Sequence, residues 1–192
     1  MHISDGIVST PVCIAAHAAS LGIIYLSGRK AGTDEIPGMG MTGAALFVVS
    51  LIQFPLAGTS VHPGMLGLAG IILGKRSFPV IFTVLLFHAL IFHHGGLLSL
   101  GLNAINMGAG AYLAWLIWRT EILPESVRAL LAGFTGVFIP ASLMLIEFKI
   151  SGYESSIFLL LLIYAVTAAI EAAITLAAVK FFRKFKPDII QK

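Results

Sequence analysis

The chain has 192 residues, of which 58% are hydrophobic and 11% charged, with a net charge of +3. Soluble domains usually carry about 25% charged residues, so this composition excludes a soluble ATPase or oxidoreductase and predicts an integral membrane protein. The single cysteine excludes an internal disulfide and a multi-cysteine metal cluster. We expect one all-α transmembrane domain over residues 1–192. No basic stretch precedes the first apolar run, so we expect the N-terminus to be retained.

Seven apolar runs predict about seven membrane-spanning helices, because a helix needs about 20 apolar residues to cross the hydrocarbon core. The third run is short and rich in glycine, and whether it crosses the membrane fully is left open. A re-entrant hairpin in that place would change the count. In chain order the runs cover residues 10–27, 38–57, 62–73, 78–93, 103–118, 126–148 and 155–182.

The basic residues give this bundle an orientation. Seven spans place the two chain ends on opposite sides, and cytoplasmic loops carry an excess of lysine and arginine. Only Lys149 falls on the side of the N-terminus, so the N-terminus is predicted outside and the C-terminus in the cytoplasm. The other eleven fall on the opposite side: Arg29, Lys30, Lys75, Arg76, Arg119, Arg128, Lys180, Arg183, Lys184, Lys186 and Lys192.

The opening sequence MHISDGIVSTP contains a metal-chelating pattern. The α-amine of Met1 and the backbone nitrogen of His2 close a five-membered ring on a metal. That nitrogen and the His2 Nδ1 close a six-membered ring, which leaves three nitrogens in one plane. Planar nitrogen ligation is typical of Ni(II) or Cu(II), and Co(II) also fits. The pattern therefore predicts a transition-metal site that uses the free N-terminus.

His62 is the predicted fourth ligand. The orientation places it at the outer face with Met1 and His2, and nearby glycines allow the backbones to approach closely. A single histidine in either place is more often an incidental or hydrogen-bonded residue than a ligand. Their joint position on one face of a chain with few polar residues favours metal binding.

Four blocks of sequence, in order, resemble the CbiM/NikM family. These proteins are the substrate-binding membrane components of energy-coupling-factor (ECF) transporters for cobalt and nickel. Departures such as Ser4, Ile7, Leu102 and Ala172 remove no ligand, but they weaken the transfer of a metal preference. The blocks are MHISDGIVS, GTSVHPGMLGLAGIILGK, HGGLLSLGLNAINMG and EAAITLAAVKFFRKFKPDII.

The resemblance implies a function and partners. It implies that Met1, His2 and His62 hold Co(II) or Ni(II) as a transported substrate, with no permanent cofactor. It also implies two ABC ATPases, a coupling transmembrane subunit and often a small accessory membrane subunit in a prokaryotic plasma membrane. Cobalamin biosynthesis is the context for such uptake. Membrane lipid is expected as a partner, and nucleic acid is not.

Other polar residues are given supporting roles. Asp5 either orients His2 or seals the inserted N-terminal loop as an outer-shell partner, or it serves as a helix-start or turn residue. His94 and Asn103 are expected to line or lock the outer loop, with a direct ligand role less favoured. His17 and His88 are expected to form interhelical hydrogen bonds, and His93 to face the headgroups. Glu171 lies inside the last span, where it braces the bundle or contacts a partner.

Two other functions compete with metal capture. A membrane metallo-enzyme needs an open coordination position, whereas a planar site with four nitrogens is closed. A metal sensor without transport belongs to the same alternative. A structural membrane protein whose histidines only pack predicts that blocking the N-terminus has no effect on the protein.

Overall fold

The computed structural model describes residues 2–56, 59–153 and 157–190, and it is a bundle of α-helices with one short hairpin. The hairpin pairs Phe54–Leu56 (β1) with Thr59–Val61 (β2), Phe54 lying opposite Val61. Short 3₁₀ turns cover Gly74–Arg76 and Pro187–Ile189. The helices are α1 Thr10–Gly28, α2 Glu35–Val49, α3 Leu66–Leu73, α4 Ser77–Phe92, α5 Leu100–Arg119, α6 Glu125–Ile150 and α7 Ile157–Phe185.

Five helical stretches within the described ranges are long and apolar enough to cross a membrane. They confirm the predicted all-α, polytopic class. The α2 helix is shorter, and α3 joins α4 through a 3₁₀ turn to form one of the five stretches. Seven full crossings therefore do not follow from helix length. The predicted ends at Ala57 and Ser155 lie outside the described residues. The stretches are Thr10–Gly28, Leu66–Phe92, Leu100–Arg119, Glu125–Ile150 and Ile157–Phe185.

The predicted end of the second helix at Ala57 is wrong, because α2 ends at Val49 and Phe54–Leu56 form β1. The third helix also differs from its prediction. It begins at Leu66 and not at His62, so the predicted start is wrong by four residues. Pro63 lacks an N–H, and Met65 has a left-handed backbone with φ of 49°. Eight helical residues rise only about 12 Å, less than half of the hydrocarbon core. The loop before α3 therefore carries His62 into the bundle as irregular backbone.

This half-length helix packs in the centre of the bundle against α5, α6 and α7. Gly70 and Gly67 permit close approach, because a Cβ at Gly70 would lie 2.2 Å from the carbonyl oxygen of Ala111 on α5, and one at Gly67 would lie 2.4 Å from that of Ala132 on α6. Leu66 and Ile71 of α3 are buried. Packing on several sides fixes the start of α3, and with it the position of the preceding loop.

The end of the bundle that carries the basic residues is tied by arginines. The buried Arg76 pairs with Glu35 and donates to the carbonyls of Ser27 and Lys30, joining α4 to the α1–α2 turn. Trp118 is 1% exposed and packs in an apolar cluster with residues from α3, α6 and α7. Trp118 therefore belongs to the core at this end of the bundle.

Candidate metal centre

The N-terminal segment lies in the bundle and is fixed to α5. Asn103 Nδ2 donates to the carbonyl of Ile3 over 2.9 Å, and the Ile3 N–H donates to Asn103 Oδ1 over 2.8 Å. The Ser99 hydroxyl also donates to the Ile3 carbonyl, over 2.6 Å. Ile3 itself is fully buried. These bonds satisfy both backbone groups of Ile3 and fix the position of its neighbour His2.

Asp5 provides a second attachment for the same segment. Its carboxylate accepts hydrogen bonds from the backbone N–H groups of Ser99, over 2.8 Å, and Leu98, over 3.2 Å. It therefore satisfies donors just before the start of α5, as a capping residue does. Gly96 allows this approach, because a Cβ there would overlap the Asp5 carboxylate. Asp5 thus positions the segment as a whole, and does not contact His2 through an observed hydrogen bond.

Three histidines from separate parts of the chain meet at this end of the bundle. The His2 ring stacks on the His62 ring at 5.0 Å between centroids, and its centroid lies 4.4 Å from that of His94. The His62 and His94 centroids are 5.5 Å apart. One ligand nitrogen from each of the three lies within 4.8 Å of the others. A single ion among them therefore requires only small side-chain movements to reach ligand distances near 2 Å.

The end of α4 brings His94 into this cluster. His93 adopts a left-handed conformation with φ of 52°, and the following N–H, from His94, donates to the His88 carbonyl over 3.2 Å. This arrangement is a common helix C-terminus and reverses the chain direction. His94 is thereby returned over the end of α4 and lies beside His2, whereas His93 is exposed.

Hydrogen bonding fixes the tautomer of His62. Its Nδ1 lies 3.2 Å from the carbonyl of Pro63, and since a carbonyl only accepts, Nδ1 carries the proton. The lone pair is then on Nε2, which is buried without a hydrogen-bond partner, as are the Nε2 atoms of His2 and His94. An outer-shell carbonyl that fixes the tautomer is typical of metal-binding histidines.

Burial keeps these imidazoles neutral. It lowers the pKa of His62 to about 3, and it lowers the pKa values of His2 and His94, since an imidazolium is poorly solvated here. The neighbouring imidazoles oppose protonation further. Three neutral nitrogen donors are thus available at pH 7, which is the form that binds a metal.

Glu171 of α7 supports the loop that carries His62. Its carboxylate accepts hydrogen bonds from the backbone N–H groups of Gly64 and Met65, with 2.9 Å from Met65 N to Oε2. The side chain is 1% exposed. An acidic group at the start of α3 satisfies N–H donors that the helix leaves free. Glu171 therefore fixes the turn immediately after His62 and braces α3 against α7.

The predicted site residues are placed as follows. His2 and His62 lie together, Asn103 and Asp5 attach the N-terminal segment, and Met1 lies outside the described residues. His94, which was expected to line or lock the outer loop, lies beside His2, with 4.4 Å between the ring centroids. His88 forms the expected interhelical contact, with Ser50 of the α2 end, whereas His17 contacts the carbonyl of Cys13 in its own helix.

Comparisons with known proteins agree with this architecture. The profile of the family described as "CbiM: Cobalt uptake substrate-specific transmembrane region" matches residues 2–189. A "Putative metal transport protein" of Haemophilus influenzae is 26% identical over 201 residues, covering 100% of this chain and 98% of that protein. A "Putative fused nickel transport protein NikMN" of Archaeoglobus fulgidus is 29% identical over 202 residues, covering 100% of this chain and 68% of that protein.

A solved "Crystal Structure of an transition metal transporter" has the same fold. It superposes with a TM-score of 0.84 at 23% sequence identity, covering 96% of this chain and 93% of that chain. The relatives are named for transport and not for catalysis, which confirms the expectation that the chain is not an enzyme. It is a multi-pass membrane protein and a component of cobalt or nickel transport. The chain belongs to the CbiM family, the substrate-specific transmembrane region of cobalt uptake.

Proposed function

We propose that this chain captures Ni(II) or Co(II) at the outer face of the membrane, as the substrate-binding component of an ATP-driven importer of the ECF type. The observation that carries this proposal is the meeting of His2 and His62, whose rings stack at 5.0 Å inside the bundle. One comes from the N-terminal segment and the other from the loop before α3. The hydrogen bonds of Ile3 fix the backbone beside His2, and the Nδ1 contact of His62 with the Pro63 carbonyl leaves His62 Nε2 buried and available.

The proposed ligands are the α-amine of Met1, the backbone nitrogen and imidazole of His2, and the imidazole of His62. The hydrogen bonds between Ile3 and Asn103 support this set, because they fix the backbone that contributes two of the donors. Four nitrogens in one plane suit Ni(II) and Co(II), and closed coordination suits capture better than catalysis. In this proposal Asp5, His94 and Asn103 surround the site.

The orientation and the partners are part of the same proposal. The positive-inside rule favours an outer location for the histidine cluster, because the basic residues gather at the other end of the helices. Residues 1–192 act as one metal-binding domain. The resemblance adds a coupling transmembrane subunit, two ABC ATPases and a small accessory membrane subunit. The fused relative, which is longer than this chain, favours a second transport component beside it.

Nickel retention by single variants tests the proposal. The protein is purified in detergent with a native N-terminus, loaded with Ni(II) or Co(II), and passed over a desalting column. His2→Ala and His62→Ala are expected to lose stoichiometric metal, whereas His93→Ala, which removes an exposed histidine outside the cluster, is expected to keep it. Full retention by His62→Ala contradicts the proposed ligand set.

Cellular uptake tests the transport part separately. Metal-starved cells that express the chain with its genetic neighbours are given radioactive Ni(II) or Co(II). We expect ATP-dependent accumulation that His62→Ala abolishes and His93→Ala retains. Metal binding by the purified protein without any accumulation would favour the sensor alternative.

A further inference from the structure

A fourth histidine lies in α4, beside the cluster of His2, His62 and His94. His88 of α4 is 2% exposed, and its ring centroid lies 6.2 Å from those of both His2 and His94. Its Nδ1 is buried without a hydrogen-bond partner. A buried imidazole nitrogen without a hydrogen-bond partner lowers the free energy of unfolding unless a ligand binds to it.

The hydrogen bonds of His88 fix its tautomer. The Ser50 hydroxyl donates to the Leu46 carbonyl over 2.7 Å, so its oxygen accepts from His88 Nε2, which lies 3.0 Å away. The Phe47 carbonyl lies 3.3 Å from the same nitrogen and also only accepts. The proton is therefore on Nε2, and the Nδ1 lone pair is available to a metal, by the same outer-shell principle as in His62.

A small cavity lies beside these donors. It has a volume of about 20 Å³, enough for one water or one ion, and His2, His62, His88 and Met107 contribute to its lining. Met107 of α5 is 5% exposed and brings a thioether, the remaining metal-binding group of the lining.

The cavity extends from the histidine cluster towards the basic end of the bundle. Its wall includes Ile81 and Val84, which precede His88 by about two turns and one turn of α4. The start of α4 is the end that Arg76 ties to the α1–α2 turn. An ion that enters the cavity has therefore moved inward from His2, along α4.

We propose that His62, His88 and Met107 form an inner binding position for the transported divalent metal ion, distinct from the capture site at the N-terminus. The identity of the ion rests on the proposed function. His62 belongs to both positions and stays bound to the ion. The amine of Met1 and the backbone and imidazole nitrogens of His2 are exchanged for His88 Nδ1 and the thioether of Met107. When the ion moves, the backbone nitrogen of His2, which binds the metal as a deprotonated amide, takes up a proton from water and re-forms its N–H bond, and the charge of the ion is unaltered.

The donor set gives the inner position a weaker affinity than the capture site. Two imidazoles and a neutral thioether provide three protein donors and no chelate ring, whereas the capture site combines two chelate rings with a fourth nitrogen. Ni(II) and Co(II) accept imidazole readily and thioether less so. A weaker second position is what conduction requires, because an ion must be able to leave each site that it enters.

The test uses the full chain with a short peptide added before Met1, which blocks the amine chelate and leaves every side chain in place. Ni(II) binding is measured by radioactive nickel retention, and the ligand atoms by X-ray absorption. His88→Gln and Met107→Leu are made in this extended protein. The matched controls are His17→Gln, which removes a histidine of α1, and Met144→Leu, which removes a buried methionine of α6.

The extended protein is expected to bind Ni(II) at least tenfold more weakly than the native one, with sulfur among the ligands. Met107→Leu is expected to remove the sulfur signal, and His88→Gln to weaken binding at least tenfold further. Glutamine can still donate to Ser50, so His88→Gln keeps the contact between α2 and α4. Both controls are expected to match the extended protein.

Two results overturn the inner position: no Ni(II) binding by the extended protein, or binding that His88→Gln and Met107→Leu leave equal to the controls. A different result overturns the proposed function instead. If the extended protein retains native affinity with nitrogen ligands only, the amine chelate is wrong, and the effect of His88→Gln still decides the inner position.

Discussion

The two ends of the bundle differ in how their buried polar side chains are hydrogen-bonded. At the basic end Arg76 is buried and fully engaged, with a carboxylate and two backbone carbonyls as partners. At the histidine end, imidazole nitrogens of His2, His62, His88 and His94 are buried without partners. Unsatisfied polar atoms cost stability, and the basic end also has one in Arg128 Nε, but four imidazole nitrogens gathered in one cluster favour a ligand there.

The hydrogen bonds at the histidine end fit this difference between the two ends. Asn103, Asp5 and Glu171 each satisfy backbone groups of a segment that carries or adjoins a histidine. They fix the positions of the imidazoles without occupying their free nitrogens. Changes at the basic end should therefore lower the free energy of unfolding alone, whereas changes around the histidines should alter metal affinity.

The largest expected effect is on stability, at the basic end. Arg76→Leu leaves the carbonyls of Ser27 and Lys30 without their donor and should lower the free energy of unfolding by about 3 kcal/mol, since each unsatisfied buried acceptor costs about 1–3 kcal/mol, while Glu35, 39% exposed, contributes less. Nickel affinity of the folded protein should stay within about twofold of the native value. Thermal unfolding in detergent and titration calorimetry measure the two quantities.

Arg183→Gln is the matched control for that change. Arg183 pairs with Glu125 over 3.0 Å, but both side chains are about one-third exposed, so its loss should cost less than about 1 kcal/mol. A tenfold loss of nickel affinity in Arg76→Leu would show that changes at the basic end also alter the metal site, which contradicts the account.

The next effect is on metal affinity, through the loop that carries His62. Glu171→Ala frees the N–H groups of Gly64 and Met65 and should lower nickel affinity about 10- to 100-fold, the usual cost of losing an outer-shell partner. Glu171→Gln, which keeps one acceptor oxygen, should recover part of the affinity. The electronic absorption of bound Ni(II) should shift in Glu171→Ala, because the His62 ring is no longer fixed.

Thr167→Ala is the control on the same helix, since the Thr167 hydroxyl donates only to the Ile163 carbonyl of α7. Its nickel affinity and absorption should equal those of the native protein. Equal affinity in Glu171→Ala and Thr167→Ala would contradict the positioning role of Glu171.

A smaller effect is expected from pH, and it also belongs to the histidine end. The His62 pKa of about 3 lies below the unfolded value near 6.5, so the unfolded chain binds the extra proton between those values. The contribution of neutral His62 to the free energy of unfolding is therefore fully present above about pH 6.5, and it is lost as the pH falls towards 3. From pH 7 to pH 5 the metal-free protein should lose about 2 kcal/mol through this group.

Thermal unfolding at the two pH values measures that loss, and His62→Gln should show a smaller one. Arg76→Leu should keep the native pH dependence, because no titrating histidine lies at the basic end of α4. An identical pH dependence in His62→Gln and the native protein would assign the effect to other groups.

Sequence patterns predicted much of the fold and part of the site. Apolar runs located six of the seven helices to within about four residues, because membrane spans depend on composition more than on partners. The exception is α2, which ends at Val49 and not at Ala57. His2 and His62 stood out by residue type and by their common end of the bundle. The start of α3 was misplaced because the run from His62 is apolar throughout, and only the left-handed Met65 and its packing stop the helix.

Contacts across the chain account for what the sequence did not reveal. Glu171 lies 107 residues from Gly64, and no local pattern states which backbone groups a buried carboxylate accepts from. An acid inside a span did indicate a bonded role. The approach of His94 to His2 depends on the left-handed His93, which residue type alone does not predict. The free nitrogen of His88 follows from Ser50 and Phe47, on a different helix end.

The most direct measurement is nickel retention by the native protein beside a form with a short peptide before Met1. The peptide removes the free amine and keeps His2, His62 and every other side chain. The chelate at the N-terminus predicts tight, stoichiometric Ni(II) in the native form and at least a tenfold weaker affinity in the extended form. Equal affinity in both forms would contradict it and would move the capture site to the imidazoles of His2, His62 and His94.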